Sequence, residues 1–241
     1  MNINSSRIKL IIGTVYLIIL LIALYFLFSA IDPKDLMSYD FIKLNRDIIL
    51  KYKNDNFLFL TVAFFIFSII WILFLGFALP LVIFSGFVFG KWWGIVLIIS
   101  STTIGATLLY IMVGYFFREA INEKLAPKFS KLKKNFEKND TTYFMMFRLL
   151  GGGGAPYAIQ NILPILFDMP VKNYFIATFF GSVPSMFVTV ALGSGIEQVI
   201  DKNIELSFST VLFSPDIYIP LIAFLIIIVV SFFVKRFYFD K

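Results

Sequence analysis

The residues with the most chemistry to offer in this 241-residue chain stand together in FRLLGGGGAPYAIQN, positions 147–161. Arg148 precedes four consecutive glycines, Gly151, Gly152, Gly153 and Gly154, which are followed by Pro156 and Asn161. A guanidinium is a planar fork of donors that can grip two oxygens of a phosphate at once. Glycine costs about 1 kcal/mol per residue in a helix interior relative to Ala, so the run predicts a turn. The backbone N–H groups of such a turn can face an anion, or the turn can serve chain reversal alone. No Gly-Lys-Ser/Thr follows the run and no strand pattern precedes it, which excludes a nucleotide-binding loop. Arg148 reads either as an arginine snorkelling to an interface or as one facing an aqueous cavity. Asp168 is the expected counter-ion.

These residues lie in a chain that is 59% apolar, with 31 Phe and a mean hydropathy of +0.88. Uncharged runs cover 10–31, 57–90, 92–117, 149–167, 173–196 and 217–234, each close to or above the ~18–20 residues that span a bilayer. The composition predicts an all-α integral membrane protein. Cys and His are absent, which removes thiolate and imidazole metal sites, Cys nucleophiles and His bases. No metal, cofactor or enzymatic activity is expected. The net charge of +6 sits in short loops between apolar runs, as the positive-inside rule describes, so nucleic acid is not an expected partner.

Charge also orients the chain. Arg7 and Lys9 precede the first run, 118–140 carries seven Lys/Arg against four acids, and Lys235, Arg236 and Lys241 close the chain. These segments are expected on the cytoplasmic side, with 30–56 and 197–216 opposite. An odd number of crossings must then fit between 57 and 117. The breakers Pro80, Ser85, Gly86, Gly90 and Gly94 suggest a re-entrant hairpin over 57–92 followed by a span at 93–117. The glycine run with Pro156, Pro164 and Pro170 suggests a second hairpin over 141–170, followed by a span at 173–196. Pro80 and Pro156 are 76 residues apart, as are Gly105 and Gly181, which suggests two opposed units in an inverted repeat, a transporter pattern. The expected organisation is a helix and loop over 1–56, a core over 57–196 (units 57–117 and 141–196), and a loop and final helix over 197–241. In the linker 118–140, Leu125, Phe129, Leu132 and Phe136 fall at helical spacing among lysines, as in a helix lying on an anionic leaflet or packed on the protein.

Phe147-Arg148-Leu149-Leu150, then Pro156, Asn161, 175–178, Gly181, Pro184 and Gly193, resemble the second half of the DedA superfamily, also called SNARE-associated Golgi or VTT-domain proteins. Upstream, Pro80, Gly86, Gly90, Trp93, Gly94, Gly105, Gly114 and Arg118 stand where that family's first half has its motif. The resemblance covers about 57–196. It implies two opposed re-entrant hairpins and movement of phospholipid or polyprenyl phosphate between leaflets. The chain departs from the family at Gly151, where a proline is usual, and at Gly154, in place of a second arginine. It also has no charge over 57–90, which removes groups that proton coupling would use.

The expected function is therefore a scramblase or translocase of phosphate-headed lipids in a cell membrane, with a bacterial inner membrane favoured. Arg148, Asp168, Gly151–Gly154, Pro156 and Asn161 are the expected binding residues. Pro80, Gly86, Gly90, Gly94, Gly105, Gly181 and Pro184 are expected to shape the hairpins. Anionic or phosphate-headed membrane lipids are the expected partners, and a homo-oligomer is compatible with the sequence. A small-solute transporter and a non-catalytic scaffold are the alternatives.

Overall fold

The computed structural model describes residues 8, 11–15, 18, 22, 25, 39–125, 136, 139–201 and 215–238. These residues are helical, with no strand among them. Helix α1 covers Tyr39–Asp55, α2 Phe57–Leu75, α3 Leu79–Leu125, α4 Asp140–Leu149, α5 Tyr157–Ile162, α6 Val171–Asp201 and α7 Pro215–Tyr238. Two 3-10 segments, Gly151–Gly154 and Leu163–Phe167, flank α5. Phe57–Phe74, Leu79–Glu123 and Val171–Gln198 are long and apolar enough to cross a bilayer. The chain is a multi-pass membrane protein. Most of the first apolar run, most of the basic linker and residues 202–214 lie outside the described residues.

Of the breakers the sequence suggests in the first half, only Gly90 interrupts the helix. Helix α2 ends at Gly76, whose N–H returns to the Ile72 carbonyl at 3.0 Å, and the chain turns over 76–78. Pro80 does not break a helix but lies in the first turn of α3, where its missing N–H would be unpaired in any case. The break inside α3 is at Gly90, with φ 76°. There the chain doubles back: Ser85 Oγ donates to the Gly94 carbonyl at 2.9 Å, whereas nine residues of straight helix would span ~13 Å. Gly86 and Gly94 are helical and serve close packing. A Cβ on Gly86 would run into the Val190 carbonyl, and one on Gly193 into the Ile83 carbonyl, so the first arm of α3 and helix α6 touch backbone to backbone.

The second half also places a helix, a glycine turn and a short helical arm before its long helix, with two 3-10 segments that the first half lacks. Asn139 Oδ1 accepts from the Thr142 N–H at 3.0 Å and caps α4. The ten residues of α4 extend ~15 Å. The glycine tip, α5 and the second 3-10 segment follow, and Asp168, at φ 52°, leads into α6. Pro184 lies inside α6.

Contacts fix the ends of these elements. Phe57 packs against Phe89 and Trp93 at 6.4 and 6.3 Å, placing the start of α2 beside the Gly90 reversal. Arg46 on α1 bonds Glu197 near the end of α6 at 2.6 Å. At the other end, Asn173 donates to Asp140 at 2.9 Å and Arg118 bonds Asp168 at 2.7 Å. The two long helices therefore run antiparallel.

Gly105 and Gly181 seat these helices in one register. A Cβ on Gly105 would lie 2.8 Å from the Ile69 carbonyl and 2.9 Å from Ile72 Cβ. One on Gly181 would lie 2.6 Å from the Met145 carbonyl and 2.8 Å from Arg148 Cβ. Ile69 and Met145 are 76 residues apart, and so are Ile72 and Arg148. Ile72 is wholly buried and apolar; its positional counterpart is the arginine.

Candidate functional site

Arg148 occupies the last turn of α4 and is 2% exposed, so it neither snorkels nor lies open to solvent. Its Nη1 donates to Gln160 Oε1 at 3.3 Å, and its Nη2 to Tyr174 OH at 3.1 Å and to Asn161 Oδ1. The rings of Phe144 and Tyr157 each lie 4.9 Å from the guanidinium carbon. Such ring contacts help hold a desolvated cation. All three hydrogen-bonding partners are neutral, and no carboxylate pairs with Arg148 among the described residues.

The expected Arg148–Asp168 pair does not form. Asp168 lies at the exposed foot of the second half and bonds Arg118 instead. The reason is geometric: Arg148 points into the interior while the left-handed turn at Asp168 sits at the end of the bundle. Asp140, the acid at the start of α4, bonds Thr141 and Asn173.

The site is built by three elements. Helix α4 supplies Phe144 and Arg148, α5 supplies Tyr157, Gln160 and Asn161, and α6 supplies Tyr174. The last of these is fixed by stacking on Tyr110 of α3 at 4.4 Å and on Phe144 at 5.3 Å. Tyr110 OH is itself anchored on the Met169 carbonyl at 2.6 Å. Two buried donors at the site, Arg148 Nε and Asn161 Nδ2, have no hydrogen-bond partner. Unpaired buried donors are costly, and the two at this site lie beside the buried guanidinium.

The glycine run lies against this cluster. Gly151, Gly152 and Gly154 have φ of 71°, 69° and 80°, conformations that side chains resist. Gln160 Nε2 donates to the carbonyls of Ala155 at 2.7 Å and Gly151 at 3.3 Å. Gly152 is pressed so close to Gln160 that a Cβ would overlap that side chain. Pro156 caps the start of α5 and is exposed. At the turn of the first half, Gly76 faces Ala158 of α5, with a Cβ there 3.1 Å from that of Ala158. The turn of the first half therefore meets the short helix that follows the glycine run.

The structure thus joins Arg148, Asn161 and the glycine tip, and sets Asp168 apart. Gln160, Tyr157 and Tyr174 were not anticipated. Gln160 and Asn161 are the only amides in the 149–167 run, a signal that a search confined to charges passes over. In the basic linker, Phe136 is buried and stacked on Phe167 at 4.2 Å, so this part of the apolar stripe packs on the protein.

Residues 77–195 match the VTT domain family model. A Transmembrane protein 41 homolog from Caenorhabditis elegans is 27% identical over 170 residues, 68% of each chain. Transmembrane protein 41B from Mus musculus is 26% identical over 186 residues, 74% of this chain and 61% of its own. Bacillus subtilis YqeD is 26% identical over 112 residues, 46% of this chain and 53% of its own. No solved structure matches. With its two packed halves under that family model and its relatives drawn from bacteria and animals, the chain belongs to the VTT-domain family, the DedA superfamily.

Proposed function

We propose that this protein moves phosphate-headed lipids between the leaflets of a cell membrane, as a scramblase or translocase, with Arg148 receiving the phosphate. One observation carries this reading: a guanidinium at membrane depth whose hydrogen bonds all go to neutral oxygens. Neutral acceptors offset only part of the desolvation of a buried cation. An oxyanion reaching the fork would complete it. The recurring element order and the shared register of Gly105 and Gly181 support two re-entrant hairpins that enter from opposite faces as an inverted repeat, with substrate where they meet. Irregular backbone at that depth is tolerated beside protein or a water-filled path, which suits the glycine tip to lining a head-group route. The bacterial relative is compatible with an inner-membrane location.

Reconstitution in liposomes tests this reading. Arg148→Lys keeps the charge but cannot serve Gln160 and Asn161 with one planar fork. Losing one hydrogen bond to a charged group costs about 1.5–3 kcal/mol, so the lipid-transfer rate per folded molecule should fall about tenfold or more. Arg148→Ala should abolish nearly all transfer. Near-normal transfer by the Ala variant removes Arg148 from the mechanism. Movement of solute without lipid would indicate a transporter, and movement of neither a scaffold.

A further inference from the structure

Gln160 is held at both ends. Its side-chain oxygen accepts from Arg148, and its side-chain nitrogen donates to the carbonyls of Gly151, which opens the glycine tip, and Ala155, which follows it. Arginine can only donate and a carbonyl can only accept, so these partners fix the orientation of the amide. Gly152 is packed directly on the same side chain. The position of the tip and the hydrogen bonding of the cation are thus set by one residue.

Gln160 and Asn161 also present two neighbouring amide oxygens to the two terminal nitrogens of Arg148. That is the acceptor pattern of a bidentate oxyanion, made from neutral groups. The Arg148–Gln160 bond is charged on the donor side alone, whereas a phosphate oxygen adds the attraction of an opposite charge, which a low-dielectric interior strengthens, so a phosphate oxygen at Arg148 outcompetes the Gln160 oxygen. Once displaced, the Gln160 side chain keeps its bonds to the Gly151 and Ala155 carbonyls and swings from the cation together with the tip.

We propose that Gln160 is a positioning residue that couples the binding of a phosphate oxyanion at Arg148 to release of the glycine tip. In the empty site its amide stands in for the ligand and holds the tip closed. Ligand binding breaks this contact and opens the tip. This rests on Arg148 being the phosphate site, but it concerns motion of the tip rather than lipid transfer, and the two can fail separately.

The absence of native cysteine makes Ala155→Cys a clean reporter. Its labelling rate with a water-soluble maleimide is measured on the full chain in maltoside micelles, which contain no phosphate. One arm adds phosphatidic acid, one adds inorganic phosphate, and diacylglycerol supplies acyl chains without the anion. Phosphatidic acid should raise the rate about tenfold over diacylglycerol, the scale set by losing one hydrogen bond to a charged group. A rise with phosphatidic acid alone assigns the ligand as a lipid head group, and a rise with inorganic phosphate shows that the free anion suffices. An unchanged rate in both arms overturns the proposal. In Gln160→Leu the tip should label fast whatever is added. In Gln160→Glu the carboxylate stays on Arg148 and excludes phosphate, but it cannot donate to the Gly151 and Ala155 carbonyls, so the tip should label fast and the response should vanish. A Leu or Glu variant that responds like the parent shows that coupling bypasses Gln160 and also overturns the proposal. Transport measured on the Ala155→Cys protein separates the two readings: transport with an unresponsive tip removes only the coupling, and a responsive tip without transport removes only translocation.

Discussion

A single methyl group at position 181 tests whether helix packing holds Arg148 in its working position. Gly181 lies on α6 against α4, where a Cβ would sit 2.6 Å from the Met145 carbonyl oxygen and 3.1 Å from Met145 Cα. Both are backbone atoms, so no side-chain rotation relieves the contact. Restoring ordinary contact at 3.4 Å from 2.6 Å parts the helices by about 0.8 Å. That displacement takes Arg148 Nη2, now 3.1 Å from Tyr174 OH, out of hydrogen-bonding range. Overpacking of this kind costs about 1–3 kcal/mol, and the lost bond lowers transfer about tenfold. The thermal midpoint of Gly181→Ala in detergent should fall by several degrees, at ~2–4 °C per kcal/mol for a chain of this size. Gly105→Ala is the control, because it forces the same adjustment against Ile69 and Ile72 without moving a cation. It should lower the midpoint similarly while keeping most of the transfer rate per folded molecule. Equal loss of specific rate in the two variants, or an unaffected Gly181→Ala protein, would refute the idea that this packing serves the arginine.

Two further outcomes follow from the site. Asp168→Asn breaks a pair with Arg118 whose side chains are 51% and 69% exposed, a contact worth under ~1 kcal/mol. Asn accepts the left-handed backbone there, so transfer should stay near normal; a loss as deep as that of Arg148→Ala would return Asp168 to the mechanism. In the tip, Gly151→Ala has open space and meets only the penalty of its positive φ, about 1–2 kcal/mol. Gly152→Ala meets that penalty and Gln160 besides, and should lower the thermal midpoint clearly further; equal shifts would show that Gly152 is not packed on Gln160.

Much of this arrangement is legible in the sequence because lipid imposes simple rules. Apolar runs must become helices, a charge within them needs a reason, and four glycines cannot continue a helix. Arg148 and the tip could therefore be found by inspection, and Asn161 through the family resemblance. Charge pairing is where sequence reasoning fails. Asp168 is the nearest acid beyond the tip along the chain, yet the direction of a side chain depends on the turn that carries it, and that turn faces Arg118. In the first half the sequence offers Gly90 together with breakers that do not break, for a related reason. Glycine serves both to bend a helix and to let two helices touch, and composition does not tell Gly90, which bends, from Gly86, which touches. Gln160 was missed because neutral amides carry no charge to count, although in a dry interior they are the groups able to hold a cation without neutralising it.

The shared register of the two halves has a consequence for stoichiometry. Each long helix seats a glycine against the helix before it, and the residue beneath is Ile72 in one half and Arg148 in the other. Two identical halves assembled as a pair would bring either no guanidinium or two to their meeting point. Under the proposed function, none would leave the phosphate unattended, and two would repel each other when empty. A single fused polypeptide can place one cation there, enough to balance one anionic charge and no more.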